Sequence, residues 1–289
     1  MDNKGVDANL EYQTRIGNKV GLRLFGNLTY SKNKIVFRDE PAMQYAYQKS
    51  EGTRYGEFYG YIAEGYFQSE EEIKKSPRQM RELAPGDIKY KDLNDDGVID
   101  ANDQCYLGKS WFPSWSYGMG FNINYHNFDL ALFFQGVSDV SIMANGGSID
   151  TGNGDWGASG VGIVPFTGMG LNPSNVITKA LDRWTADNPR ADAWYPRMTA
   201  NATTNDNNYV NSTHWLKDGS YLRLKQASLG YTLENKKLMD KGIEYLYFYL
   251  SGQNLLTFSK FKLWDPELGS NGAKYPLSRM VTLGMRVSF

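Results

Sequence analysis

The 289-residue chain holds one cysteine, Cys105, and two histidines, His126 and His214. A single thiol excludes an intrachain disulfide, and two imidazoles leave little for a histidine-ligated metal centre. No stretch approaches the roughly 18 consecutive apolar residues that a membrane-crossing helix needs, so a helical membrane protein is excluded. The first residues, MDNKGVDANL, have neither the basic nor the apolar region of a signal peptide. Neither charge sign predominates: 31 Lys+Arg face 32 Asp+Glu for a net charge of -1, and a nucleic-acid footprint has no support. Enzyme motifs are missing as well. There is no G-x-S-x-G elbow and no G-K-[ST] phosphate loop, and Gly160-Val161-Gly162 lacks the third glycine of a dinucleotide loop. His214, in STHWLKD, has no motif that would make it part of a triad and reads as a polar loop residue beside a strand entrance. The chain reads as a non-enzyme.

What the chain has is alternation. In the ending MVTLGMRVSF, Val281, Leu283, Met285, Val287 and Phe289 share one parity and Thr282, Gly284, Arg286 and Ser288 the other, the period of a strand with one apolar face. VGLRLFGNLTYS at 20–31 behaves likewise with Phe25 as the exception, and NLEYQTRIG before it is joined to it by the turn GNK. Residues 119–125 and 128–135 alternate around His126-Asn127. SYLRLKQASLGYTL slips parity between Leu224 and Ala227 in the manner of a β-bulge, and YLYFYLSGQNLLTF follows as its partner. The pattern predicts seven antiparallel strands.

The connections between these strands alternate between short and long. Tight turns at 17–19 and 126–127 and a medium link near 234–243 separate long segments at 38–113, 139–218 and 259–278. Outer-membrane barrels show this asymmetry, with tight turns on one side and long loops on the other. In a barrel the apolar parity faces lipid while Arg23, Asn122, Asn124, Gln253 and Arg286 face a wet interior. A soluble sandwich has the same alternation with the opposite meaning, its apolar parity buried between two sheets. The burial of Leu283 separates the two.

Several segments together resemble one family. NKGVDANL, PGDIKYKDLNDDGVID, FDLALFFQGV, RWTADNP, DGSYLRLKQASLGY, SGQNLLTFSKFKLWDPE and the ending YPLSRMVTLGMRVSF resemble, in this order, the C-terminal half of SusC/RagA-type TonB-dependent outer-membrane transporters. The resemblance spans nearly the whole of residues 1–289. It implies an all-β chain: the C-terminal segment, about seven strands, of a 22-stranded transmembrane β-barrel with long extracellular loops. It further implies active import of large nutrients, oligosaccharides or peptides, energised through TonB-ExbB-ExbD and capped by a SusD-like lipoprotein. The location implied is the outer membrane of a Gram-negative, Bacteroidetes-like bacterium. The plug domain, the TonB box and the earlier strands of the family are not in these residues, so the chain reads as a partial barrel domain whose TonB coupling lies in the missing N-terminal region. The rival reading is a soluble or surface-exposed carbohydrate-binding β-domain braced by calcium.

Three sets of residues are candidates for specific roles. DLNDDGVIDAND at 92–103 follows the spacing of an EF-hand calcium loop, with Asp92, Asn94, Asp96, the carbonyl of Val98, Asp100 and Asp103 at the ligand positions and Gly97 at the sharp turn. Aspartate at the last position resembles the dockerin variant, flanking helices are missing, and Ile99 can pin the loop to apolar neighbours, so a static Ca²⁺ clamp is expected. All seven tryptophans fall in long connections or at strand ends, and of these Trp156, Trp194, Trp215 and Trp264 are candidates to face a ligand. Phe289 resembles the terminal aromatic by which outer-membrane barrels are recognised for assembly. Two short helices are expected in the loops, SEEEIKK with Ser69 and Glu72 at capping-box spacing and SNVITKALDRW with Val176, Ile177, Ala180, Leu181 and Trp184 along a core-facing stripe.

Overall fold

A computed structural model describes residues 1–17, 19–80, 82–145, 178–198, 206–272 and 274–289. Strands appear in the order β1 (Asp2–Ile16), β2 (Val20–Lys34), β3 (Glu57–Gly60), β4 (Ala63–Tyr66), β5 (Ile88–Tyr90), β6 (Cys105–Ser110) and β7 (Trp115–Tyr125). They continue with β8 (Phe128–Ser138), β9 (Ser141–Met143), β10 (Leu216–Asp218), β11 (Tyr221–Leu233), β12 (Tyr245–Ser259) and β13 (Met280–Ser288). Among the described residues the short α-helices are α1 (Glu70–Lys75), α2 (Asp206–Tyr209) and α3 (Lys236–Met239). No helix among the described residues is long and apolar enough to cross a membrane.

The seven long strands form one antiparallel sheet in the order β1-β2-β7-β8-β11-β12-β13. All seven match the alternating runs. β1 begins earlier than the alternation alone suggested, because Val6 and Ala8 continue the parity of Leu10. Lateral pairing lines like residues up across the sheet. One row reads Thr14, Leu22, Ile123, Leu130, Leu229, Leu250 and Leu283. The next, on the other face, reads Gln13, Arg23, Asn122, Ala131, Ser228, Ser251 and Thr282.

Among the described residues, the side chains of the apolar face stay largely exposed. Leu229 and Leu250, on strands paired along both sides, are 49% and 48% exposed, and Leu283 is 80% exposed. Tyr221 is the one buried apolar side chain that the large sheet contributes among the described residues. A sandwich would bury these leucines between two layers, so the soluble-sandwich reading is overturned. The sheet is built as barrel wall, with its apolar side toward a hydrocarbon solvent.

The parity slip in β11 is a bulge. Its register shifts between Leu224 and Gln226 against both β8 and β12, leaving Leu224 on the apolar face and Gln226 on the polar one. On β12 the same point is taken up by Asn254, a non-glycine residue at φ 53. Phe25, the exception in β2, lies on the polar face across Gly120. Its ring stacks on Phe133 at 6.0 Å and 12°, and a Cβ on Gly120 would strike that ring. The glycine is what lets two phenylalanines from non-adjacent strands meet.

The buried core sits in the long connections. Phe58, Tyr61, Tyr66, Ile88, Tyr90 and Ile99 of the segment between β2 and β7 pack against Met143, Ala180, Trp184, Tyr195 and Trp215 of the segment between β8 and β11. A second cluster joins Ile142 and Ala144 to Phe261 of the segment between β12 and β13. Three two-stranded sheets, β3-β6, β4-β5 and β9-β10, stiffen this assembly. Helix α1 is capped as expected, Ser69 Oγ accepting from Glu72 N at 3.2 Å, yet it buries no residue and rides on the surface. Of the second expected helix only a 3₁₀ turn over Thr178–Leu181 is described, and Val176 and Ile177 lie outside the described residues. Ala180 and Trp184 are buried as expected, whereas Leu181 is 76% exposed because a 3₁₀ turn directs it away from the stripe that an α-helix would form.

Candidate functional site

Every long connection leaves the sheet at the same end and joins one loop assembly. Its joints are polar as well as apolar. Asp87 is buried and accepts from Arg197 Nη2 at 3.0 Å and from Asn208 Nδ2 at 2.7 Å. Asn208 Oδ1 in turn accepts from Ile88 N, and Gln79 Nε2 donates to Asn207 Oδ1 at 2.8 Å. These bonds tie the first long connection to the second in a buried polar network, which favours one arrangement of the loops.

The third connection is anchored to the wall. Arg223, on the polar face of β11 and 1% exposed, donates from Nη2 to Asp265 Oδ1 at 2.5 Å and stands 3.5 Å from Glu267 Oε2. A strand arginine buried this far needs both carboxylates, since an unpaired charge there would be costly. The pairing across 42 positions was not visible in the sequence. The only signal was an arginine among the strand's apolar residues and the acids of WDPE.

The loop at 92–103 winds around its own side-chain oxygens. Asp95 and Gly97 adopt φ 58 and 80, and Gly97 N donates to Asp92 Oδ2 at 2.8 Å. Asn94 Oδ1 accepts from Asp96 N, Asp96 Oδ1 from Val98 N, and Asp100 Oδ1 from Asn102 N. Ile99 is 1% exposed within the loop core, and its N–H donates to Arg78 O. Asp103 is fully buried, with its two oxygens taken by Leu93 N and Asp100 N. Asp92 Oδ1 is buried and has no hydrogen-bond partner. Among the described residues no three His, Cys, Asp or Glu side chains converge on a metal-sized point.

The tryptophans divide. Trp215 is fully buried, its indole N–H donating to Asn208 O at 2.7 Å, and its ring meets Trp194, Tyr195, Tyr209 and His214. It has no face for a ligand, and the sequence expectation is corrected: a core position and a binding platform use the same residue type. Trp264 donates to Gly269 O at 2.8 Å and packs edge-on against Phe261, which makes it a brace of the third connection. Trp194 is half-buried between the two apolar clusters and lines a cleft. Trp156 lies outside the described residues.

His214 is a partly buried residue packed against the loop core. Its Nε2 lies 3.2 Å from Trp194 O and 3.3 Å from the Tyr66 hydroxyl, and its ring packs edge-on to Tyr66 and Trp215. Burial, reinforced by the nearby Lys217 ammonium, lowers its pKa to about 4. It is neutral at physiological pH, and its contacts hold no serine and carboxylate pair of the kind a triad requires.

No family model matches the chain. TonB-dependent receptor P3 of Formosa agariphila is 26% identical over 100% of this chain and 29% of its own length. TonB-dependent receptor P26 of the same organism is 30% identical over 78% of this chain and 22% of its own length. Among solved structures, the RagAB peptide importer in its open-open state superposes with a TM-score of 0.68 and 22% identity, over 99% of this chain and 28% of the other. Its closed-closed state gives 0.68 and 21%, over 99% and 29%. The chain therefore spans between a fifth and a third of the length of the proteins it matches.

Proposed function

From the chain's place as a C-terminal segment of a SusC/RagA-type TonB-dependent receptor, we infer that it forms wall and loops of an outer-membrane channel for active import of large nutrients. The observation that carries this reading is the inverted burial of the sheet: Leu229 and Leu250 are about half exposed on a strand ladder paired on both sides, while the packed core lies in the loops. A wall of this kind suits a hydrocarbon solvent outside and water inside. The loops, tied into one body, contribute to substrate selection and to the seat of a SusD-like lipoprotein. Oligosaccharides and peptides are the proposed substrate classes, and TonB-ExbB-ExbD the energy source acting through the rest of the receptor. The outer membrane of a Bacteroidetes-like bacterium is the proposed location, in keeping with the organism of the relatives.

We also propose that the loop at 92–103 holds one Ca²⁺ as a static clamp. Two features support this: the ligand spacing, and the unpartnered Asp92 Oδ1 inside a turn already wound around its own oxygens. Asp92, Asn94, Asp96, the Val98 carbonyl and Asp100 are the proposed first ligands. Asp103 closes the loop through two backbone amides and offers its remaining lone pairs.

Import is tested by following labelled oligopeptides and oligosaccharides in cells that produce the full-length receptor, with and without TonB. Accumulation that depends on both supports the reading. Uptake unchanged by loss of TonB overturns it.

A further inference from the structure

A cleft of about 780 Å³ opens between β10, the turn at 178–182 and residues 260–263 that follow β12. Its floor is apolar: Phe261 is 6% exposed, Trp194 is half-buried, and Leu181 and Leu263 form the sides. Its rim is basic. Lys179, Lys217, Lys260 and Lys262 line it against Asp182 and Asp218.

The charges are not equivalent. Lys179 is paired with Asp182 at 2.8 Å, and Asp182 is shared with Arg190 at 3.1 Å. Lys217 donates to His214 O at 2.6 Å and sits 5.2 Å from the centre of the Trp194 ring. Asp218 Oδ1 accepts from Ser220 N at 2.9 Å. Lys260 and Lys262 are exposed and have no carboxylate within 4.0 Å among the described residues. The cleft thus combines an apolar floor with two exposed ammonium groups, of which Lys260 also attracts the Asp218 carboxylate, while Lys262 is in no ion pair among the described residues.

We propose that this cleft is a subsite for an imported peptide that carries carboxylates among apolar side chains, the carboxylates meeting Lys260 and Lys262 and the apolar groups meeting Leu181 and Leu263. The inference rests on the import function proposed above and names a substrate class for it. A sugar ring would need a flat aromatic face open to it, and here Phe261 is buried while Lys217 covers Trp194. Long apolar side chains and lysine stems suit a peptide better, because the stems extend the apolar surface while the ammonium groups stay wet.

The test uses the purified full-length receptor and labelled octapeptides of alternating Leu and Glu, Leu and Gln, or Leu and Lys, read by fluorescence polarisation. The Glu peptide is expected to bind about tenfold tighter than the Gln peptide, or about 1.4 kcal/mol, and the Lys peptide most weakly. The double variant Lys260→Gln, Lys262→Gln removes exposed charges without touching the core. It is expected to abolish the preference for Glu while leaving Gln-peptide binding unchanged. Equal binding of the Glu and Gln peptides by the unmodified receptor, or a preference that survives in the variant, overturns the subsite and leaves the import reading standing. Tighter binding of an oligogalacturonate than of the Glu peptide overturns the choice of peptide. Failure of every peptide and oligosaccharide to bind overturns the subsite and the import reading together.

Discussion

Arg223 of β11 and Asp265 of the last long connection form an ion pair across the polar face of the sheet, with the guanidinium almost wholly buried. The pair fixes where the connection between β12 and β13 comes to rest. Changing Arg223 to Met leaves Asp265 and Glu267 without their partner, and because these carboxylates are 18% and 38% exposed the cost falls below the roughly 3–5 kcal/mol of a fully buried pair. Hydrogen exchange and protease cleavage are expected to rise within residues 260–279 of the full-length receptor while the strands stay protected. Unchanged protection of that segment would show that the pair is not its anchor.

The calcium clamp predicts a separation between binding and folding. With Asp92 and Asp96 changed to Ala, calorimetry should find no Ca²⁺ site, whereas the unmodified loop should bind with a dissociation constant of about 10⁻⁴ to 10⁻³ M. Calcium at ten times that constant adds about 1.4 kcal/mol to the loop's stability. Asp103→Ala should destabilise the loop even without calcium, by about 1–3 kcal/mol for each amide left unpaired, since both of its oxygens hold backbone N–H groups.

Acid is expected to loosen the loop assembly through His214. Its folded pKa of about 4 lies below its ordinary 6.5, so between these values the unfolded chain binds the extra proton. Stability contributed by neutral His214 is complete above pH 6.5 and falls as pH drops toward 4, by at most about 3 kcal/mol. Thermal denaturation monitored by tryptophan fluorescence at pH 7.5, 5.5 and 4.5 should show this slope. His214→Phe should flatten it.

Arginine substitutions should report which face meets lipid. Leu250→Arg places a charge on the exposed apolar face and is expected to cost about 2–4 kcal/mol if it lies near the bilayer midplane. Ser251→Arg, one residue along and on the polar face, should be tolerated. The two variants are compared by the amount of heat-modifiable, folded receptor in outer-membrane fractions. Equal yields would reject the assignment.

Phe289 is 90% exposed and continues the apolar parity of Met285 and Val287. Its deletion from the full-length receptor should lower the assembled amount in the outer membrane. Assembly at the level of the unmodified protein would reject its role as a recognition signal.

The wall was legible in the sequence because each strand carries its own record of two faces. Val281, Leu283, Met285 and Val287 state their side without reference to any other strand, and even the bulge near Lys225 shows as a parity slip. Two exceptions carried information that single-strand reading could not decode. Phe25 breaks the pattern because Gly120 and Phe133, on strands brought beside it only by the fold, make room for it. Arg223 looks like any lumen-facing cation until Asp265 is found beside it. The loops were illegible for the same reason in stronger form. Trp194 and Trp215 have the same side chain in the same kind of segment, and only long-range packing makes one a cleft wall and the other a core residue. Lys260 and Lys262 gave no signal, since an exposed lysine becomes informative only when the fold sets it on the rim of an apolar cleft.

The bonds that close the loop assembly join residues far apart in the chain: Ala63 to Thr213 across 150 positions, Gln79 to Asn207 across 128. Between those partners lie β7 and β8, which carry the chain down the wall and back again. Until these two strands are paired, the connection that precedes them and the one that follows have no fixed separation, and closing so long a span is entropically unfavourable. The order of assembly is therefore set by topology. Pairing of the wall is thereby expected to precede closure of the cap, so that substitutions confined to the cap should leave the pairing of the strands intact.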